Sequence, residues 1–148
     1  MLKQQFLGVV GTVEVVALAV LAGAGVVAAV VWFPREFSVL PFFWIPEEGL
    51  RQRVERDRVP YDLWAGDGAV FVTPGEVIDQ DVIQRFIIEE LAPKYQIRDI
   101  GFDPWNATQL AVRLTDAGAE MVQLSQTIST MAEAVKRIEE LTVSRRLC

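Results

Sequence analysis

The chain contains no histidine and a single cysteine, Cys148, its last residue. Those two facts remove a Ser-His-Asp triad, a Cys-His pair, a histidine-ligated metal, a cysteine-based zinc site and any intrachain disulfide. Whatever chemistry remains must run on carboxylates, lysines, hydroxyls or a bound metal. Among the carboxylates, Asp103 stands directly before Pro104-Trp105-Asn106, and Asp79 and Asp81 precede an apolar periodic run. Asp103 before a proline reads as a helix N-cap, with Pro104 at the first helical position. Asp79 and Asp81 read as capping and first-turn acids, favoured by the positive end of the helix dipole. Asn106 and Gln109 follow on the helix after Asp103. Either they orient a metal-bound water or a phosphate, or they are the solvated start of that helix. No GxxxxGK[ST] phosphate loop occurs, and Gly66-Asp67-Gly68 is a turn, so no nucleotide-binding residues are expected.

The elements that must position these groups are bounded by composition. A length of 148 residues suits one domain, and 51% hydrophobic with 23% charged residues supports a buried core. The net charge of -6 argues against a stand-alone nucleic-acid coat, whose affinity would come from neutralising phosphates.

Val15 to Phe33 is an uncharged apolar run of 19 residues, the length of a membrane-spanning helix. It is also valine-rich and interrupted by Ala22-Gly23-Ala24-Gly25, which fits two buried strands, Val15–Leu21 and Val26–Phe33, joined by a tight turn. The two-strand reading is preferred; a single-span membrane protein with a helix over 15–33 is the alternative. Phe37 to Ile45 reads as a third strand ended by Pro46. The charged stretch that follows, about 46–68, reads as a surface excursion. Its arginines (Arg51, Arg53, Arg56 and Arg58) are either a solvated helix face or a phosphate-contacting edge. Ala69 to Thr73 reads as a short strand closed by Pro74-Gly75. Val82, Ile83, Phe86, Ile87 and Leu91 recur at helical spacing and predict a helix ending near Pro93. Ile97 to Phe102 alternates as a strand, with Asp99 facing away from the core. A helix through Leu110 and Leu114 stops near Gly118. Glu120 to Leu124 is a further strand, and Met131, Val135, Ile138 and Leu141 mark a closing helix over about 129–146. Gln126, Ser129 and Thr130 fall before that helix, where hydroxyls cap. Trp64 and Trp105 are expected to pack.

Five phrases in fixed order carry a specific signal: Phe43-Trp44-Ile45-Pro46-Glu47; Arg58-Val59-Pro60-Tyr61-Asp62-Leu63-Trp64; Val72-Thr73-Pro74-Gly75 with Ile78-Asp79; Phe102-Asp103-Pro104-Trp105-Asn106-Ala107-Thr108-Gln109; and Val122-Gln123 leading through Met131 into the last helix. Together they resemble the nuclease domain of tailed-phage terminase large subunits, from about Val26 to the end of the chain. The resemblance implies an α/β, ribonuclease H-like mixed sheet flanked by helices, incomplete at the C-terminus. Residues 1–14 would be an N-terminal lead and 15–148 a partial nuclease domain. It implies metal-dependent endonucleolytic cleavage of double-stranded DNA during genome packaging, with two Mg or Mn ions held by acidic residues. Partners by resemblance are double-stranded DNA, the portal protein and the small terminase subunit, in the host cytoplasm.

The resemblance gives Asp103 a catalytic, metal-ligating role beside its capping one, with Asn106 and Gln109 as supporting residues. It also exposes departures. The family's two first-strand aspartates fall near Val20 and Val26, neither of which ligates metal, and Glu14 sits too early to replace them. A further family acid lies beyond the closing helix, where this chain stops. Cleavage by the chain alone is therefore not expected.

Overall fold

The computed structural model of the protein describes residues 14–21, 26–32, 37–125 and 127–147. The valine-rich run forms two strands, β1 (Glu14–Leu21) and β2 (Val26–Trp32), paired antiparallel from Glu14↔Trp32 to Leu21↔Val26. β-Branched side chains lose little freedom in a strand, which is why such a run favours sheet over helix. No helix among the described residues is long and apolar enough to cross a membrane. The membrane-helix alternative for 15–33 is thereby corrected. The expected turn at Ala22–Gly25 lies outside the described residues.

β3 (Phe37–Pro46) pairs antiparallel with β2 along Phe37–Phe43 and parallel with the short β4 (Phe71–Thr73) at Trp44–Pro46. Between them the predicted excursion folds as two small helices, α1 (Leu50–Asp57) and α2 (Tyr61–Gly66), neither with a buried residue. The helix expected to end near Pro93 is α3 (Gln80–Arg85), continued by a π-helical turn over Phe86–Leu91. The predicted strand 97–102 is two pieces, β5 (Gln96–Ile97) and β6 (Ile100–Phe102), parted at Arg98-Asp99. Asp99 is thus half-buried between strands rather than within one. α4 (Pro104–Asp116), β7 (Met121–Gln123) and α5 (Ile128–Val143) complete the order.

Among the described residues the strands form one sheet, β4-β3-β2-β1-β6-β7, with β5 alongside β1 next to β6. β6 is parallel to both β1 and β7. Only β2 runs against the others, so β1, β3, β4, β6 and β7 all point their carboxyl ends the same way. An antiparallel meander of three strands, extended by parallel strands reached through helices, is the ribonuclease H-like arrangement expected from the sequence.

The core lies between this sheet and helices α3 and α4. α4 buries Ala107, Leu110, Ala111 and Leu114, spaced three, four and seven apart on one stripe. Ile83, Ile87 and Leu91 do the same along α3 and its π-helical extension, and Val27 and Ile100 meet them from the sheet. Trp44 anchors the β3 side, stacked on Phe71 at 5.2 Å between ring centroids and edge-on to Phe86 at 5.2 Å. α5 is mostly exposed, including Met131, Val135 and Ile138. Its far end is tied to β3 by the Phe37 amide donating to the Arg146 carbonyl at 2.6 Å.

Candidate functional site

The candidate site is built where β6 turns into α4. β6 is short and buried at Ile100 and Gly101; a side chain at Gly101 would come within 2.7 Å of the Leu124 methyl that lies against it. The strand is held on both sides. Its partner in β1 sets Val20 beside Phe102, and in β7 Gln123 stands beside Phe102, with the Leu124 amide donating to the Phe102 carbonyl at 2.8 Å. Asp103 follows at once. It is half-buried, its backbone is extended, and its side chain accepts a hydrogen bond from the Trp105 amide at 3.1 Å. This is an N-cap with Pro104 in the first turn, as the sequence indicated. Asp103 thus satisfies an otherwise orphan helix donor while standing at the carboxyl end of a central parallel strand, where α/β sheets place ligands.

The other expected members of the site are dispersed. The backbone positions of Val20 and Val26, where acids were expected by resemblance, lie at this same end of the sheet. Val20 is one residue short of the register position beside Asp103, and Val26 opens β2 opposite Leu21. Glu14 is at the other end of β1, paired with Gln96, about 20 Å of strand away from Val20. Among the described residues no three of His, Cys, Asp and Glu gather closely enough to hold a metal ion. Asn106 belongs to α4, but its side chain lies outside the described residues. Gln109 is exposed and faces a cleft that Asp103 does not line. Trp105, expected to pack, is 79% exposed directly beside Asp103. The position follows from the cap: the second residue of a helix that starts at a sheet end projects before the buried stripe begins at Ala107.

Asp79 caps α3, accepting from the Asp81 amide at 2.8 Å, and its own amide points to the hydroxyl of buried Thr73 at 3.4 Å. Asp81 pairs with Arg113 of α4, tying the two helices together. Thr127 caps α5, accepting from the Thr130 amide at 3.3 Å, with Ser129 and Thr130 hydroxyls against it at 3.1 and 2.8 Å. Ser129 and Thr130 therefore lie inside the first turn of α5 rather than ahead of it; Gln126 lies outside the described residues.

Sequence reasoning missed one concavity. A cleft of about 1480 Å³ opens at the same end of the sheet. Its floor comes from the carboxyl end of β3 (Trp44–Pro46) and the loop after β4. One wall is α1 and α2, presenting Arg53, Arg56, Tyr61 and Trp64; the opposite wall is the start of α3, with Gln109 and Arg113 of α4. Trp64, also expected to pack, is 42% exposed and sits edge-to-face with Tyr61 at 5.8 Å. Arg56 donates to Asp57 at 2.7 Å, which holds the Asp57 carboxyl below the usual carboxylate range, and the Tyr61 hydroxyl donates to Asp57 at 3.4 Å. The one signal in the sequence was the run of arginines followed closely by Tyr61 and Trp64.

Residues 14–148 match the family described as "Terminase large subunit, endonuclease domain". The large terminase subunit of Enterobacteria phage HK97 is 30% identical over 113 residues, which cover 75% of this chain and 22% of that protein. Protein YmfN of Escherichia coli K12 is 27% identical over 117 residues, covering 74% of this chain and 25% of its own length. Among solved structures, the HK97 bacteriophage large terminase is similar with a TM-score of 0.75 and 26% identity over 93% of this chain and 30% of that one. The chain thus spans about a quarter of the length of the curated relatives it matches.

Proposed function

The chain belongs to the endonuclease-domain family of terminase large subunits, and we propose that it supplies the ribonuclease H-like platform of such a subunit, with Asp103 as one carboxylate of a metal-dependent centre that cleaves double-stranded DNA during genome packaging. The observation that carries this reading is the position of Asp103: half-buried, fixed by its cap, at the carboxyl end of the central parallel strand β6. Mg²⁺ or Mn²⁺ would be the ion, since oxygen donors suit hard cations and a two-ion centre activates water and stabilises the leaving oxygen.

The described residues do not fit a complete two-ion centre. One carboxylate does not hold two ions, and valines stand at the two first-strand positions where the family carries aspartates. No hydrolytic step is therefore assigned to this chain by itself. Asn106 and Gln109 are supporting residues in the proposal, on the helix that Asp103 caps. Double-stranded DNA, a portal protein and a small terminase subunit are the proposed partners, in a host cytoplasm.

Nicking of supercoiled plasmid in Mg²⁺ and Mn²⁺, with wild type beside Asp103→Ala and calorimetric Mn²⁺ titration beside Asp103→Asn, tests the reading. The expected result is no cleavage above the variant from folded protein, and weak Mn²⁺ binding that Asp103→Asn removes. Cleavage that vanished in Asp103→Ala would show that these residues complete a working centre after all. Equal Mn²⁺ binding by wild type and Asp103→Asn would take Asp103 out of the metal role.

A further inference from the structure

Two residues past Asp103, the side chain of Trp105 is 79% exposed, and the helix that carries it begins to bury its stripe only at Ala107. A tryptophan left this open forgoes the burial that usually fixes so large a ring. Its backbone is nevertheless held firmly. The Trp105 amide donates to the Asp103 carboxylate at 3.1 Å, and α4 is fixed below it by Leu110 and Leu114 in the core. Two links of chain keep the two Cα atoms no more than about 7.6 Å apart, so whatever meets Asp103 from solvent comes within reach of the ring.

The neighbours of the ring narrow what it can meet. Three and four places along the helix surface stand Thr108 and Gln109, both exposed and polar. Trp105 is therefore a single aromatic in a polar rim, not part of a broad apolar patch of the kind that docks a protein. Charge is absent as well. Pro104–Val112, which leaves β6, and Met121–Ala132, which spans β7 and the start of α5, carry no ionisable side chain. The acids Asp57, Glu76, Asp79 and Asp81 line the cleft on the β3–β4 side, which neither Asp103 nor Trp105 lines. An open aromatic ring among uncharged donors and acceptors suits a nucleobase, which offers a π-face and hydrogen-bonding edges, and it offers a phosphate chain no ion pair.

We infer that Trp105 is a positioning residue for DNA: its ring wedges against a base of the duplex next to the phosphate that meets Asp103. The inference rests on the endonuclease reading, which supplies DNA as the occupant, and deepens it by naming the group that sets where along the strand the backbone meets Asp103. An aromatic wedge costs some unstacking of the duplex and gives a fixed register in return. With no basic side chain on these segments, the contact releases no counterions and adds nothing to the salt dependence of binding. It does not depend on metal.

The test is ultraviolet crosslinking of a duplex carrying 5-bromodeoxyuridine, in EDTA at low salt, followed by trypsin and mass spectrometry. Trypsin cuts after Arg98 and Arg113, so Trp105 is the one tryptophan of peptide 99–113, while Trp64 falls in peptide 59–85. The crosslink is expected in 99–113, at Trp105. In fluorescence anisotropy with the same duplex, Trp105→Ala should weaken binding about tenfold, the scale of one lost base stack, and Trp105→Phe should retain most of it. The salt dependence of binding should be the same in wild type and Trp105→Ala. Circular dichroism and thermal melting on each variant keep a folding defect from passing as a binding defect. The absence of metal keeps the result independent of Asp103, whose role is decided by its own Mn²⁺ titration. Crosslinks confined to other peptides, equal binding by wild type and Trp105→Ala, or no binding of the duplex by wild type would overturn the inference.

Discussion

Two regions at one end of the sheet are built in opposite ways. The β6–α4 junction is anchored from below: β6 is flanked by parallel neighbours, and α4 sinks Ala107, Leu110 and Leu114 into the main core. The cleft wall of α1 and α2 has no buried residue in either helix. The contacts that hold it include Arg56 on Asp57, Tyr61 on Asp57, Tyr61 against Trp64, and the Glu47 amide donating to the Thr73 carbonyl at 2.8 Å. Positional rigidity for Asp103 comes from apolar burial several residues away. The cleft wall carries its side chains on the surface.

That contrast is broken or upheld first by paired truncations. Leu110→Ala, at a fully buried position on α4, should lower unfolding free energy by about 2–5 kcal/mol, through lost burial and the cavity left behind. Trp64→Ala removes a larger side chain, but one 42% exposed, and should cost about 0.5–1.5 kcal/mol, the scale of an aromatic pair contact. Urea denaturation of both variants measures the difference. A Trp64 variant as damaged as the Leu110 variant would mean that α2 belongs to the cooperative core, and the contrast would fail.

The same division separates what could be read in the sequence from what could not. Apolar periodicity identified α4, α3 and the strands β1 to β3, because burial of a repeating face is itself a pattern along the chain. Asp103 as cap was legible for the same reason: Asp-Pro before a periodic run has one dominant local meaning. The π-helical turn at Phe86–Leu91 was not, since its period departs from that of an α-helix only within one turn. Nor was the break at Arg98-Asp99, where the alternation passes smoothly through two residues that leave the sheet. Trp64 and Trp105 were expected to pack; Trp64 does so against Tyr61 while staying 42% exposed, and Trp105 is 79% exposed, because exposure depends on neighbours distant in sequence. The Asp81–Arg113 pair and the cleft are products of tertiary assembly, joining residues 32 apart.

A smaller effect separates the two roles of Asp103. Removing an N-cap costs typically about 1 kcal/mol, and asparagine caps almost as well as aspartate. Asp103→Ala should therefore lower stability by about 1 kcal/mol, while Asp103→Asn stays within a few tenths of wild type, both by urea titration. If Asp103→Asn destabilised as much as Asp103→Ala, the carboxylate charge would be stabilising the junction beyond its cap, and the residue would carry a structural burden that the anchoring from below does not predict.

The smallest expected effect lies in the cleft wall and concerns pH. The hydrogen bond from Arg56 holds the Asp57 carboxyl below its ordinary range, with Tyr61 adding to it. A carboxylate whose folded pKa is lowered contributes stability that is fully present above the unfolded aspartate value of about 3.9 and is lost as pH falls through the lower folded value. Because the pair is exposed, solvent screens it and the contribution is slight. Wild type should therefore exceed Asp57→Asn slightly in urea midpoint near neutral pH, the gap closing as acid protonates Asp57. An NMR titration of the Asp57 carboxyl should show its transition moving up in Arg56→Ala. A gap that persisted unchanged into acid would mean that Asp57 holds the wall through groups other than its ionised pair. The cleft would then be more firmly built than its exposed helices indicate, and closer in kind to the junction beside it.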